Sequence, residues 1–262
     1  RKVVVVSALG GITDLMLECG QQAARGNEEY AGLLKQIEQR HLDTVRSLLP
    51  VSNQSACLSV VKQLCNELED ICEGVFRLQE LSKRSIDRIA SFGELLSSKI
   101  ISGYLLATGV PHEWLDSRKL IRTNSEFGNA SVEIGVTETL INDAVGKHAS
   151  SFFIAPGFIA SSADGLTTTL GRGGSDFTAS IFAAALNAKA LEIWTDVSGM
   201  MTADPRWVPN ARPIPMISYQ EAMELSHFGA KIIYPPTIQP VMKKNISMNV
   251  LIPGGFLPKG HL

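Results

Sequence analysis

An α/β layered fold with a mostly parallel sheet is what this chain predicts, on three observations. Lys2 to Ser7 is an unalternated, valine-rich run of the kind that forms a strand buried on both faces of a parallel sheet. Short apolar strands alternate with helical patterns through the second half. Glycines stand where those strands hand over to helices. The 262 residues, 45% hydrophobic and 19% charged, are enough for a large core and argue against disorder.

The elements follow in order. After the first strand, Gly10-Gly11 opens a helix over Thr13 to Ala24, closed by Gly26. From Glu28 to Leu49, Tyr30, Leu33, Leu34, Ile37, His41, Val45 and Leu48 recur at helical spacing until Pro50. A second long helix runs from Ser55 to Ser82, its apolar stripe carried by Val61, Cys65, Leu68, Cys72 and Val75. These two form an inserted helical hairpin, expected to lie on the sheet. A third helix covers Ser85 to Leu106. Then come strands over Ser151 to Ile159, Ala190 to Thr195 and Met248 to Ile252. Helices over Ser175 to Asn187, Tyr219 to Phe228 and Thr237 to Lys244 alternate with them. Ser218 with Glu221 three residues on is a capping box. No repeat or linker interrupts the chain, so one domain is expected, with two lobes meeting near residue 160.

Composition removes several function classes. A net charge of −2 offers no field for nucleic acid or anionic membrane. No apolar run reaches the length of a membrane span, and the run after Arg1-Lys2 is too short for a signal peptide. Cys19, Cys57, Cys65 and Cys72 form no C-x-x-C pair and read as buried, reduced thiols, which suggests a cytoplasmic protein. The five histidines lack metal-ligand spacing, so no zinc site is expected.

Five segments carry chemistry. In Thr167 to Asp176, T-T-T-L-G-R-G-G-S-D, three glycines let a backbone approach an anion. Ser175 and Asp176 stand where a helix begins, with its N–H groups and positive dipole end. Arg172 adds a planar fork for a carboxylate or phosphate. Trp194 to Arg206, W-T-D-V-S-G-M-M-T-A-D-P-R, leaves a strand's C-terminal end, where α/β folds bind ligands, and brings Thr195, Asp196, Asp204 and Arg206 there. Glu94 in S-F-G-E-L is either a solvated neighbour of an apolar stripe or a buried ligand for an ammonium group, and the residues alone favour the first. Lys231, after Gly229, could reach a phosphate as a point charge, though a surface lysine explains it equally. Ser7, Gly10, Gly11 and Thr13 form a second strand–glycine–helix junction that could cradle an anion.

Taken together, these segments resemble the amino-acid kinase superfamily, and within it the aspartate kinases. Val5 to Thr13, Ser91 to Glu94, Thr169 to Asp176, Trp194 to Val197 with Thr202 to Arg206, and Phe228 to Ile232 match in order and approximate spacing. Ser218 to Ser226 and the helical insert look like the forms fused to homoserine dehydrogenase. The resemblance implies a three-layer αβα sandwich, with residues 1–252 as the catalytic domain and 253–262 unassigned. It implies ATP and Mg²⁺ as cofactors, L-aspartate as acceptor, 4-phospho-L-aspartate as product and a homo-oligomer, with regulatory domains in the parent chain. Glu94 and Arg172 resemble the residues that hold aspartate's ammonium and a carboxylate, helped by Thr13 and Ser175. Asp176, Thr195, Asp196, Arg206 and Lys231 resemble the nucleotide and magnesium side, and Ser7 a residue lining the phosphoryl path.

The chain also departs from the family pattern. The family's first strand ends in a K-F-G-G-T-S loop whose lysine meets the transferred phosphate, and this sequence begins after it. Met201 stands where many relatives carry a nucleotide-contacting tyrosine. Two other readings stay open: a superfamily kinase acting on glutamate or a nucleoside monophosphate, and an inactive scaffold.

Overall fold

The computed structural model describes residues 1–195, 199–204, 207–227 and 234–251. The chain divides into two compact units, unit 1 over Arg1–Gly171 and unit 2 over Arg172–Leu262.

Unit 1 opens with strand β1 (Lys2–Val6) and helices α1 (Ile12–Ala24), α2 (Glu29–Leu48), α3 (Val51–Leu78) and α4 (Lys83–Ala107). It continues through β2 (Glu113–Trp114), α5 (Ser117–Leu120), β3 (Arg122–Thr123), α6 (Ile134–Lys147), β4 (Phe152–Pro156), β5 (Ile159–Ser162) and β6 (Thr167–Thr169). Unit 2 holds α7 (Gly174–Ala185), β7 (Ala190–Trp194), α8 (Tyr219–His227), α9 (Pro235–Lys243) and β8 (Ser247–Leu251).

Among the described residues pairing is mostly parallel, as the strand sequences predict, and is shared among three small sheets. β1-β4-β2 and β7-β8 are wholly parallel. In β3-β5-β6 the β3–β5 pair is parallel and the β5–β6 hairpin antiparallel. β1 corrects the expectation of a strand buried on both faces. Among the described residues it pairs with β4 alone, and Val4 is 37% exposed.

The helical hairpin is where the periodicity placed it, but its seat is different. α2 and α3 pack on each other and on α1 and α4, so two helices take the place that the sequence reading gave to a sheet. The stripe residues Ile37, Val45, Val61, Cys65, Leu68, Cys72 and Val75 join Ile12, Met16, Phe92, Leu96 and Ile100 in one core. His41 belongs to that stripe and is fully buried, its Nδ1 2.7 Å from the Ile37 carbonyl, and burial lowers its pKa. All four cysteines are buried and free. α3 stops short of Ser82 because Gln79 turns left-handed, leaving Ser82 to cap α4 through the Ser85 N–H.

The strand expected over Ser151 to Ile159 is two strands. The chain breaks after Pro156, and Phe158 sits at φ 63° before β5 begins. In unit 2 the capping box forms as read: the Ser218 N–H donates to Glu221 at 2.8 Å, and the Glu221 N–H to Ser218 Oγ at 3.2 Å. Among the described residues no helix is long and apolar enough to cross a membrane, and no group of three or more His, Cys, Asp or Glu could hold a metal ion.

Candidate active site

In unit 1 the site is built where α4 meets the exit of β1. Glu94 is only 4% exposed, which corrects the solvated reading. Its Oε1 accepts the Ala8 N–H at 3.3 Å, and its Oε2 is buried with no hydrogen-bond partner. Burial pushes the Glu94 carboxyl up to about 8, partly offset by hydrogen bonding to the backbone of Glu94 and Ala8. One turn on, Ser97 Oγ donates to the Ser7 carbonyl at 2.6 Å, fixing the strand exit to the same helix. Ser7 is exposed and Thr13 half-buried, in the first turn of α1. Gly11 caps that helix at φ 76° with no side-chain partner, and the Ile12 N–H is already used by the Leu9 carbonyl at 2.9 Å.

The glycine of S-F-G-E now has a physical reason. A Cβ on Gly93 would stand 2.8 Å from Ala8 Cβ, closer than packed carbons approach. Only a glycine lets α4 come near enough for Glu94 to meet the Ala8 N–H. Gly93→Ala should therefore destabilise the protein by about 1–3 kcal/mol. Ala8→Gly in the same chain should recover most of the loss. Urea unfolding of the single and double variants checks this, and no recovery would mean that the clash lies elsewhere.

In unit 2 the helix α7 begins within the glycine loop. Gly173 is its cap at φ 67°, and no side chain caps the helix. A Cβ on Gly173 would come within 2.7 Å of Tyr234 Cβ. Ser175 and Asp176 are half-buried residues of the first turn, and Arg172 is exposed. An uncapped helix start after two glycines suits an anion. Burial raises the pKa of Asp176, so a neighbouring cation would restore its charge. Thr195 follows β7, its N–H donating to the Leu251 carbonyl at 2.9 Å. Asp196, Arg206 and Lys231 lie outside the described residues.

The structure brings Ser7, Ala8 and Glu94 together in unit 1 and sets Arg172, Ser175 and Asp176 along one loop and helix start in unit 2. Sequence reasoning missed Asp87, Ser97 and the loop around Gly128. Asp87 lies two helical turns before Glu94 on the same side of α4, a spacing that could have marked it. A cavity of about 980 Å³ in unit 1, lined by Arg88, Asp116, Arg118, Arg122, Asp164 and Thr167 among others, meets the glycine segment only at its first residue, Thr167, and holds no side chain given a substrate or nucleotide role. Two ion pairs within it, Arg118 with Asp116 at 2.7 Å and Arg88 with Glu67 at 3.4 Å, satisfy much of its charge internally.

Residues 1–251 match the profile of the Amino acid kinase family. The bifunctional aspartokinase/homoserine dehydrogenase 2 of Arabidopsis thaliana is 36% identical over 247 residues, which cover 94% of this chain and 27% of the relative. The lysine-sensitive aspartokinase 3 of Escherichia coli is 34% identical over 256 residues, 95% of this chain and 54% of the relative. The solved E. coli aspartokinase III with aspartate and ADP superposes with a TM-score of 0.88 at 33% identity, over 96% of this chain and 55% of that one. The chain thus spans about a quarter to half the length of these relatives.

Proposed function

Since this chain belongs to the amino acid kinase family, with the fold of the solved aspartokinases, we propose that its residues 1–252 form the catalytic domain of an aspartate kinase, moving the ATP γ-phosphate to the side-chain carboxylate of L-aspartate. The observation that carries this reading is the orphaned Glu94 Oε2, a buried carboxylate oxygen held open beside the strand exit. An ammonium group satisfies it, which favours an amino acid over a nucleoside monophosphate. The aspartate and ADP bound by the E. coli relative support the same substrates.

Charge dictates the mechanism. A carboxylate with pKa near 4 is ionised at neutral pH, so no general base is needed. The obstacle is bringing one anion to another, and the protein's task is alignment and neutralisation. Glu94 takes the ammonium and Arg172 a carboxylate, with Thr13 and Ser175 completing the acceptor's hold. Ser7, at the end of β1, lines the path of the transferred group. The N-terminus of α7 faces the phosphates. Asp176 and Thr195 serve the nucleotide side together with Asp196, Arg206 and Lys231. Mg²⁺, when bound, screens the phosphate charge. Asp176 is a described carboxylate that would help to hold it, beside the oxygen ligands that Mg²⁺ prefers.

Trapping with hydroxylamine tests the proposal. Incubated with aspartate and MgATP, the protein should yield aspartate hydroxamate. Hydroxamate from glutamate and none from aspartate would overturn the assignment.

A further inference from the structure

Building on that function, we propose that Asp87 is a positioning residue for aspartate binding: its buried carboxylate fastens β6 and the 124–131 loop to α4 immediately before Arg172. Asp87 is 1% exposed. Its Oδ2 accepts the Gly128 N–H at 2.9 Å and the Thr169 N–H at 3.1 Å, and its Oδ1 accepts the Thr169 hydroxyl at 2.7 Å. Three neutral donors, and no ion pair among those in the described residues, hold this charge. Burying a carboxylate in this way is costly unless every lone pair is answered, and here the donors come from two separate segments.

Those segments set the departure of the glycine loop. β6 is three residues long, and the polar groups of Thr169 are all engaged. Its N–H and hydroxyl go to Asp87, and its carbonyl accepts the Ala130 N–H at 3.1 Å. Thr168 bonds the Thr123 hydroxyl at 2.7 Å, and the Leu170 N–H goes to the Phe158 carbonyl at 2.9 Å. Gly171 then turns at φ 70°, so close to the loop that a Cβ there would stand 2.9 Å from Asn129 Oδ1. Asp87 thus holds both the strand that leads to Gly171 and the loop against which Gly171 turns. Arg172 is the next residue in the chain. Asp87 and Glu94 share α4, about 10 Å apart along its axis.

Asp87→Asn keeps the shape but removes the charge, so the Gly128 and Thr169 N–H groups lose an ionised acceptor and the Thr169 hydroxyl must turn to accept from the new amide. Thr169→Val deletes only the hydroxyl, and Thr169→Ser restores it. Calorimetry of aspartate and of ATP binding should show aspartate weakened about ten- to a hundredfold by Asp87→Asn, the range expected when a hydrogen bond to an ionised group is lost. Thr169→Val should weaken it about tenfold, Thr169→Ser less than about threefold, and ATP binding should change less than about threefold in all. Amide exchange should quicken at Gly128 and Thr169, with Phe92 and Leu96 unchanged. Unaltered aspartate binding in both Asp87→Asn and Thr169→Val would overturn the inference while leaving the kinase assignment intact. Equal loss of aspartate and ATP with a lowered melting temperature would also overturn it, because that marks a general fold defect. If the unsubstituted protein binds no aspartate, the kinase assignment fails. Exchange at Gly128 and Thr169 then decides the anchoring by itself, and unchanged rates there would refute it. Should Asp87→Asn not fold, the Thr169 pair carries the test.

Discussion

Aspartate should bind about tenfold more tightly for each pH unit between 6 and 7, with the gain fading near pH 8 and vanishing above it. The cause is Glu94. Without ligand, burial holds its carboxyl at about 8, so at pH 6 it is protonated and cannot serve as an anion. An ammonium placed on the unpartnered Oε2 favours the ionised form and draws the pKa back toward the ordinary range. Binding must then release a proton wherever the free protein holds one and the complex does not. The released fraction should be close to one at pH 6, about one half at pH 8 and small above pH 9. Calorimetry in buffers of different ionisation enthalpy counts this proton directly. A pH-independent affinity with no proton release would show that Glu94 does not face the ammonium.

The same group acts on stability in the opposite sense. Its folded pKa lies above its unfolded value of 4.5, so the unfolded chain ionises first as pH rises. Its contribution is most favourable below pH 4.5 and declines up to about 8. Glu94→Gln should therefore melt higher than the unsubstituted protein at pH 8 and equally at pH 4, while losing aspartate binding. An acid kept buried at a cost to the fold is what the proposed ammonium-binding role of Glu94 requires.

Arg172→Ala should lower aspartate affinity by about a hundredfold and leave ATP nearly untouched. Arg172 is exposed at the head of unit 2, one residue before the cap of α7, and a bidentate pair with a substrate carboxylate is the interaction removed. Losing a hydrogen-bonded charge partner costs about 1.5–3 kcal/mol, hence the size of the effect. Steady-state kinetics separate the possibilities, with a raised KM for aspartate against an unchanged KM for ATP. A comparable rise in both would move Arg172 to the phosphates.

Much of the fold was legible because local patterns governed it. The stripe of α2 and α3, the glycine closing α1 and the Ser218–Glu221 box depend on residues within a few positions of one another. α6 escaped notice because its buried face is Thr137, Ile141 and Val145, with a threonine where an apolar residue would have marked the period. The break at Phe158 was hidden because a phenylalanine gives no sign of a positive φ. The depth of Glu94 could not be read from its neighbours, since α4 is buried by elements from both sides of it in the chain. Asp87 was harder still. Its partners, Gly128 and Thr169, lie 41 and 82 residues away, so its spacing from Glu94 could mark its side of α4 but not what it bonds.

The pairing of β1 has a consequence in time. Lys2 lies against Phe152, more than half the chain away, whereas α1 to α4 pack mainly on helices near them in sequence. Contacts between close segments form quickly, and those that must first close a long loop form late. Refolding should therefore gather the helices first and dock β1 last. Because the Ala8–Glu94 hydrogen bond spans 86 residues and needs β1 in place, the carboxylate that would receive the substrate is among the last groups to reach its station. A helical intermediate would already give most of the far-ultraviolet signal and yet bind no amino acid, so regain of helicity would run ahead of regain of function.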